Sequence, residues 1–452
     1  MEACELNLAT FAQHHDSPKG RPMNRLINRI VFGLIAAPLL SNAAPVMASE
    51  WVETWAASPD RVGTPMPPQT LRQVVRISAG GKRLRLRLSN ALGAQPLKIG
   101  AASVARSAGG SRIEPLEQSR VTFSGRSEVT IPAGMDVLSD PVKLRTKALE
   151  RIAVSLYLPD GSSAPTQHGV GLETGFMADG DQSELQELTA PRTNRSRFFL
   201  TDVEVTAKPG TNTFMVLGDS ISDGVGSTFG ADTRWPDVLA AGLQPSGQNP
   251  GVAVANAGIS GNRLLNDGAA PYIGPSGISR YSRDVLTKPG LRWVLLFQGG
   301  NDISAAALLK TPRDQVSAEQ IIAGLQALIA QAHKNGVAVL GATLLPRGGA
   351  GEPFSAPGNE AKRQQVNAWI RAGCGFDMVV DLDRALRDPA APERMLAQFD
   401  SGDHVHPNDA GHRAIAQTVR GALVRLIDYE RMHGAKAMRL RPCGLETARR
   451  AG

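Results

Sequence analysis

An α/β fold with a mostly parallel sheet, preceded by a β-rich region of sandwich or jelly-roll type, is the architecture this sequence predicts. Three observations predict it. Between about 50 and 208 the apolar residues recur at period two, and Gly/Pro turns cut that stretch into short strands. From about 211 short apolar strands start roughly 40 residues apart, with helical patterns between several of them.

The first region reads as strands with one face buried and one wet. In Lys82-Arg83-Leu84-Arg85-Leu86-Arg87-Leu88 leucines alternate with arginines, and Arg151-Ile152-Ala153-Val154-Ser155-Leu156-Tyr157-Leu158 repeats the alternation. Turns at Ala79-Gly80-Gly81, Pro132-Ala133-Gly134 and Pro159-Asp160-Gly161 separate the strands, and no long helix is expected there. In the second region the expected strands are 214–217, 252–255, 293–297, 337–340 and 378–380. Helical patterns cover 235–243, 318–334, 360–370 and 409–427. Strand and helix at this spacing imply a parallel sheet covered on both faces. Ligands of such sheets bind at the carboxyl ends of the strands.

With 452 residues, 42% hydrophobic and 20% charged, the chain can bury a large core, and its length favours two or three domains. The 47 glycines and 30 prolines follow no period, which excludes collagen-like and low-complexity classes. Arg25 and Arg29 precede an apolar run over 30–40, and small residues follow, with cleavage expected after Ala43 or Ala48. This is the anatomy of a secretory signal, and the run is shorter than the about 20 residues that span a bilayer. Residues 1–48 are therefore expected to be a leader and signal peptide, with translation starting at Met23; an uncleaved anchor is the alternative. The expected location is exported, periplasmic or extracellular, with no stable membrane span after cleavage.

The expected organisation continues with a β-rich accessory domain over 49–208, the α/β domain over 209–430 and a basic tail over 431–452. The formal charge of +7 is spread along the chain, and no nucleic-acid motif accompanies it. An oxidising compartment permits Cys374 and Cys443 to pair, but two cysteines make no disulfide scaffold.

The chemistry lies just after the expected strands. Ser220 follows the first, in Gly218-Asp219-Ser220, where a serine can expose its hydroxyl at the sheet edge. After the second comes Asn256-Ala257-Gly258-Ile259-Ser260-Gly261-Asn262, and after the third Gln298-Gly299-Gly300-Asn301-Asp302. Gly261 can bring its N–H close to a bound carbonyl, and Asn301 offers a neutral amide donor. With the Ser220 N–H they form a candidate three-donor oxyanion hole. In Gly402-Asp403-His404-Val405-His406-Pro407-Asn408-Asp409, Asp403 can fix the tautomer of His406 while the other ring nitrogen faces Ser220. Pro407 disfavours helical dihedrals at His406, and Asn408 is the expected helix cap. Two rival readings make His404 the base sharing Asp403, or make Asp403, His404, His406 and His412 a metal site; no metal and no cofactor is expected.

Gly218-Asp219-Ser220, Gly261, Gly300-Asn301-Asp302 and Asp403-His404-Val405-His406-Pro407 stand in the order and approximate spacing of the SGNH (GDSL) hydrolases, which the chain resembles. Trp51-Val52-Glu53-Thr54-Trp55, Leu71-Arg72-Gln73-Val74-Val75-Arg76, Arg87-Leu88-Ser89-Asn90 and Arg234-Trp235-Pro236-Asp237-Val238-Leu239 are similar to an exported bacterial branch with an extra N-terminal β-domain. The resemblance implies a three-layer α/β/α, flavodoxin-like hydrolase with Ser220 as nucleophile, His406 as base and Asp403 as its orienter. It implies oxyanion donors from Ser220, Gly261 and Asn301. The exported setting favours an O-acetylated carbohydrate or a short-chain acyl ester as substrate. Alternatives are a lipase or lysophospholipase-like acylhydrolase, or a non-catalytic carbohydrate-binding protein on the same scaffold. Trp51, Trp55 and Trp235 are candidate sugar platforms or buried packing residues, and Tyr272 lies on a loop expected beside the cleft.

Overall fold

The computed structural model describes residues 50–244, 251–268 and 272–434. The leader, signal and Met23 calls, Cys443 and most of the basic tail lie outside the described residues. Contacts group Ala48–Gly452 into one compact unit. Among the described residues no helix is long and apolar enough to cross a membrane.

Two antiparallel sheets build the β-rich region. One has β1 (Trp51–Ala56) paired to β9 (Leu200–Thr206), then β3 (Leu84–Ser89) and β5 (Asp136–Leu138). The other runs β8 (Gly175–Asp179), β2 (Gln69–Arg76), β6 (Arg151–Leu158), β4 (Ala101–Gly109), with short strands at its margins. Leu84, Leu86, Leu88, Val203 and Val205 of the first sheet share one core with Leu71, Val75, Val104, Ile152, Val154 and Leu156 of the second. A shared core between facing sheets is a sandwich, as the period-two reading predicts.

Two details depart from that reading. The arginine face of β3 is not simply wet: Arg85 pairs with the buried Glu204, and Arg87 lies 3.4 Å from the buried Asp202. The Arg85 guanidinium also sits 4.4 Å from the Trp51 ring centroid. Strand β6 is buried on both faces, because it is central and its Ala153 packs with Val74, Ala105 and Ile113 in a second small core. Arg72 is the pin: its Nε donates to Ser155 Oγ at 2.8 Å, and its terminal nitrogens donate to the Ser111 and Leu185 carbonyls at 2.6 and 2.7 Å.

The second region is a five-stranded parallel sheet of β10 (Asn212–Gly218), β11 (Val252–Gly258), β12 (Leu291–Phe297), β13 (Ala338–Ala342) and β14 (Met378–Val380), in the order β11-β10-β12-β13-β14. The expected strands each fall within or within one residue of an observed one. Helices α1 (Ser220–Asp223), α2 (Trp235–Gly242), α3 (Gly300–Leu309), α4 (Ala318–Lys334), α5 (Pro357–Arg371) and α6 (Asp409–His433) connect and cover it. One face packs a core of Phe214, Val216, Leu295 and Leu340 against Trp235, Val419 and Leu423. The other packs Met215, Leu217, Val294 and Val339 against Leu325, Leu328 and Val366. Helix α4 begins at a full capping box of Ser317 and Gln320, which satisfies orphan N–H groups at its start. The result is a three-layer α/β/α arrangement with an N-terminal β-sandwich.

The sandwich meets the parallel sheet at β11. Ala253 of β11 belongs to the sandwich core, and the Val254 N–H donates to Ser78 Oγ at 2.9 Å. Glu53 N–H of β1 reaches Thr213 Oγ1 at 3.0 Å.

Candidate active site

Strand β10 runs apolar through Leu217 and stops at Gly218, where the backbone turns sharply into the single turn of α1. The turn requires glycine at 218: a Cβ there would lie 2.1 Å from Ser222 Oγ. Asp219 caps α1, its carboxylate accepting from Ile221 N–H at 3.1 Å, and Gly224 ends the turn at φ +109°. Ser220 is thus the first residue of a helical turn above the sheet's carboxyl edge, and it is nearly buried.

Ser220 Oγ lies 2.8 Å from His406 Nε2, and His406 Nδ1 lies 2.6 Å from Asp403 Oδ2. The other Asp403 oxygen accepts the backbone N–H groups of Val405 and His406 at 2.9 and 2.8 Å. Partial burial alone would raise the Asp403 carboxyl. The hydrogen bonds from the His406 ring and the two backbone N–H groups outweigh it and hold it at about 2. Asp403 is therefore ionised at neutral pH and keeps the His406 proton on Nδ1, leaving Nε2 to accept from the serine. Asn408 caps α6 as expected, accepting from Ala410 and Gly411 N–H groups at 2.9 and 3.1 Å.

The three loops after β10, β11 and β12 are tied together below Ser220. The Gly218 carbonyl accepts Ile259 N–H at 3.2 Å, Arg280 Nη2 at 3.1 Å and Gln298 Nε2 at 2.8 Å. Gly261 has φ +74°, a conformation that favours glycine. The Asn301 side chain donates through Nδ2 to the Asn262 carbonyl at 3.0 Å, while Arg347 donates to its Oδ1 at 3.3 Å and to the Gly300 carbonyl at 3.1 Å. An amide nitrogen carries two donors, so the arrangement fixes the Asn301 amide and leaves one N–H to offer. Asp302, next in the motif, accepts Leu264 and Leu265 N–H groups at 2.7 and 2.9 Å, bracing the 261–265 loop.

The rival readings separate in space. His404 does not share Asp403; its Nδ1 lies 2.5 Å from Asp400 Oδ2, and its backbone takes φ +61°. His412 is buried, with Nδ1 accepting from Trp235 N–H at 3.3 Å and Nε2 donating to the Val225 carbonyl at 3.2 Å. Burial pushes its ring down to about 4, so it is neutral. Among the described residues no cluster of three or more His, Cys, Asp or Glu is placed to hold a metal.

Of the tryptophans, Trp235 is fully buried and Trp55 is 8% exposed, which makes both packing residues. Tyr272 is exposed, with the Arg61 guanidinium 5.9 Å from its ring centroid. Next to it in sequence, Ile273 packs under Gly261: a Cβ on that glycine would lie 3.4 Å from Ile273 Cγ1. Cys374 is disulfide-bonded.

Several residues at the site have no motif that announces them. Arg347, which fixes Asn301, stands five residues beyond β13, at the carboxyl edge where ligands of parallel sheets bind; that position is the one signal it carries. Arg280 and Gln298 act through a backbone carbonyl that only the folded chain brings to them.

The loops at the carboxyl edge of this parallel sheet thus bring Ser220, His406 and Asp403 together in an α/β/α fold. Residues 216–414 match the GDSL-like lipase/acylhydrolase family, and the chain carries an SGNH/GDSL hydrolase domain, an ester hydrolase at the level of that family. No curated protein matches the chain. It is similar to the solved aryl esterase of M. smegmatis, at 19% identity over 48% of this chain and 100% of that one, with a TM-score of 0.38. A variant of an acetyl xylan esterase from Geobacillus stearothermophilus matches at 22% identity over 48% and 95%, TM-score 0.36. A carbohydrate acetylesterase from Sinorhizobium meliloti matches at 14% over 48% and 100%, TM-score 0.38.

Proposed function

We propose that the chain is a serine esterase that cleaves carboxylic esters by two-step acyl transfer through Ser220, His406 and Asp403. The observation that carries this reading is the 2.8 Å approach of Ser220 Oγ to His406 Nε2, with Asp403 behind the ring. His406 takes the Ser220 proton as Oγ attacks the ester carbonyl. Negative charge builds on the carbonyl oxygen opposite the N–H groups of Ser220 and Gly261 and the amide of Asn301. His406 then protonates the departing alcohol, and water, activated by the same base, releases the acid and restores Ser220. A serine-directed phosphonate is expected to label the wild-type chain at Ser220 and to label neither Ser220→Ala nor His406→Ala. Equal labelling of a folded His406→Ala chain would remove His406 from the mechanism.

The acid half we propose is a short acyl group. A cavity of about 230 Å³ adjoins Asp219 and Gly300, the neighbours of Ser220 and Asn301; Phe297, Ile303, Leu344 and Phe354 line it together with the charged Arg347, Glu360, Arg363 and Glu393. Charged groups in its wall suit a short acyl group better than a long lipid chain. Filling it by Ile303→Trp is expected to lower kcat/KM for a butyryl ester about tenfold relative to the acetyl ester. Equal effects on both esters would place the acyl group elsewhere. Acetylated carbohydrate satisfies the same small-acyl requirement, and the exported setting expected from the sequence suits it.

A further inference from the structure

At Asp223, the last residue of the turn that Ser220 opens, the β-rich region meets the hydrolase through a buried imidazole. His168 ends the short strand β7 (Thr166–His168) and is 6% exposed. Its Nδ1 faces the Ser58 carbonyl at 2.8 Å, and its Nε2 faces Asp223 Oδ1 at 3.0 Å and the Val170 carbonyl at 3.1 Å. All three partners are acceptors, so the ring satisfies them only as imidazolium, donating from both nitrogens. Burial opposes that charge, but Asp223, with Asp60 4.0 Å from Nδ1, outweighs it and lifts the ring to about 9.

Asp223 closes the helical turn that Ser220 opens, and it is buried. One of its oxygens meets His168; the other accepts both the N–H of Ser260 at 2.8 Å and its hydroxyl at 2.6 Å. Ser260 is the residue before Gly261. The two segments also touch directly, since a Cβ on Gly258 would lie 2.5 Å from the Asp223 nitrogen. A charged hydrogen bond in a dry interior is short and stiff. The same carboxylate therefore sets both the turn that carries the nucleophile and the loop that carries an oxyanion donor.

We propose that His168 is a positioning residue for ester hydrolysis: through Asp223 and Ser260 it fixes the Gly261 N–H relative to Ser220, making the β-rich region a working part of the active site. The proposal rests on the serine esterase reading above. Donors preorganised for the transition state act on kcat rather than on ground-state binding, and a displacement on the order of 1 Å costs about 100-fold.

The test compares wild type, His168→Gln, Ser260→Ala and the double variant. Phosphonate labelling counts active sites, p-nitrophenyl acetate gives kcat per labelled site and KM, and thermal unfolding reports the fold. His168→Gln is expected to lower kcat per site about 10- to 100-fold with KM within about twofold. Ser260→Ala is expected to lose less, and the double variant to be no worse than His168→Gln alone, because both act through Asp223. Wild-type kcat per labelled site in folded His168→Gln, or multiplicative losses in the double variant, would overturn the proposal, even where the melting temperature falls. Should His168→Gln not fold, Ser260→Ala decides: a several-fold drop in kcat at constant KM supports the proposal and an unchanged kcat overturns it. Failure of the phosphonate to label Ser220 in wild type is a different result, which removes the serine reading and this proposal with it.

Discussion

Ser220→Ala is expected to abolish hydrolysis of activated esters, with kcat lowered about 10⁴- to 10⁶-fold and the melting temperature nearly unchanged. The size follows from the geometry. The hydroxyl is the one group on the helical turn that reaches His406, and the substitution leaves the Asp219 cap and the Gly218 turn untouched. The proposed oxyanion donors would remain, so a residue of activity above the uncatalysed rate is consistent with the assignment. Turnover within about tenfold of wild type in a folded Ser220→Ala chain would mean that another nucleophile does the chemistry.

Asp403→Asn should follow close behind, with kcat lowered about 10³- to 10⁴-fold. The amide oxygen of the replacement can still accept the N–H groups of Val405 and His406, which keeps the loop in place. Its NH₂ then points at His406 Nδ1 and forces the ring proton onto Nε2. A protonated Nε2 can only donate, so it cannot take the proton of Ser220. Loop and ring stay where they are and the tautomer alone is wrong, which makes kcat the parameter that falls. Steady-state kinetics at neutral pH on a chain with wild-type unfolding temperature gives the answer, and a loss smaller than about tenfold would show that His406 needs no orienter.

Much of this was legible from residue spacing. The strands at 214–217, 293–297 and 378–380 lie within the observed ones, because runs of three to five apolar residues bounded by polar residues and turns have few alternatives. The spacing of Asp403 and His406 forced a local pairing, and the structure contains one. Helix α3 was less legible: it starts inside the Gly299-Gly300-Asn301 motif, where glycines argue for a loop, and the left-handed Gly299 at φ +113° is what lets it start there. The partner that His404 does take has no signal in sequence. Asp403 is its neighbour in sequence, but the positive φ at His404 swings the ring toward Asp400, four residues back. Nothing in the local sequence announces the partners of Arg72, Arg347 and His168. Each finds acceptors on segments tens to more than a hundred residues away, and no local period encodes such a pairing.

The contact between the sandwich and β11 bears on how this molecule can be divided. A strand at the rim of a sheet offers unused N–H and C=O groups to any chain that comes alongside, and natural proteins shield such rims. Here the shield is the N-terminal region itself: Ser78 occupies the Val254 N–H, and Ala253 is sunk in the sandwich interior. A fragment trimmed to 209–430 would keep Ser220, Gly261, Asn301, Asp403 and His406, lose His168 from beside Asp223, and carry a bare, apolar rim. Its fate would be decided by association between copies rather than by chemistry, so these two parts behave as one inheritance and not as interchangeable modules.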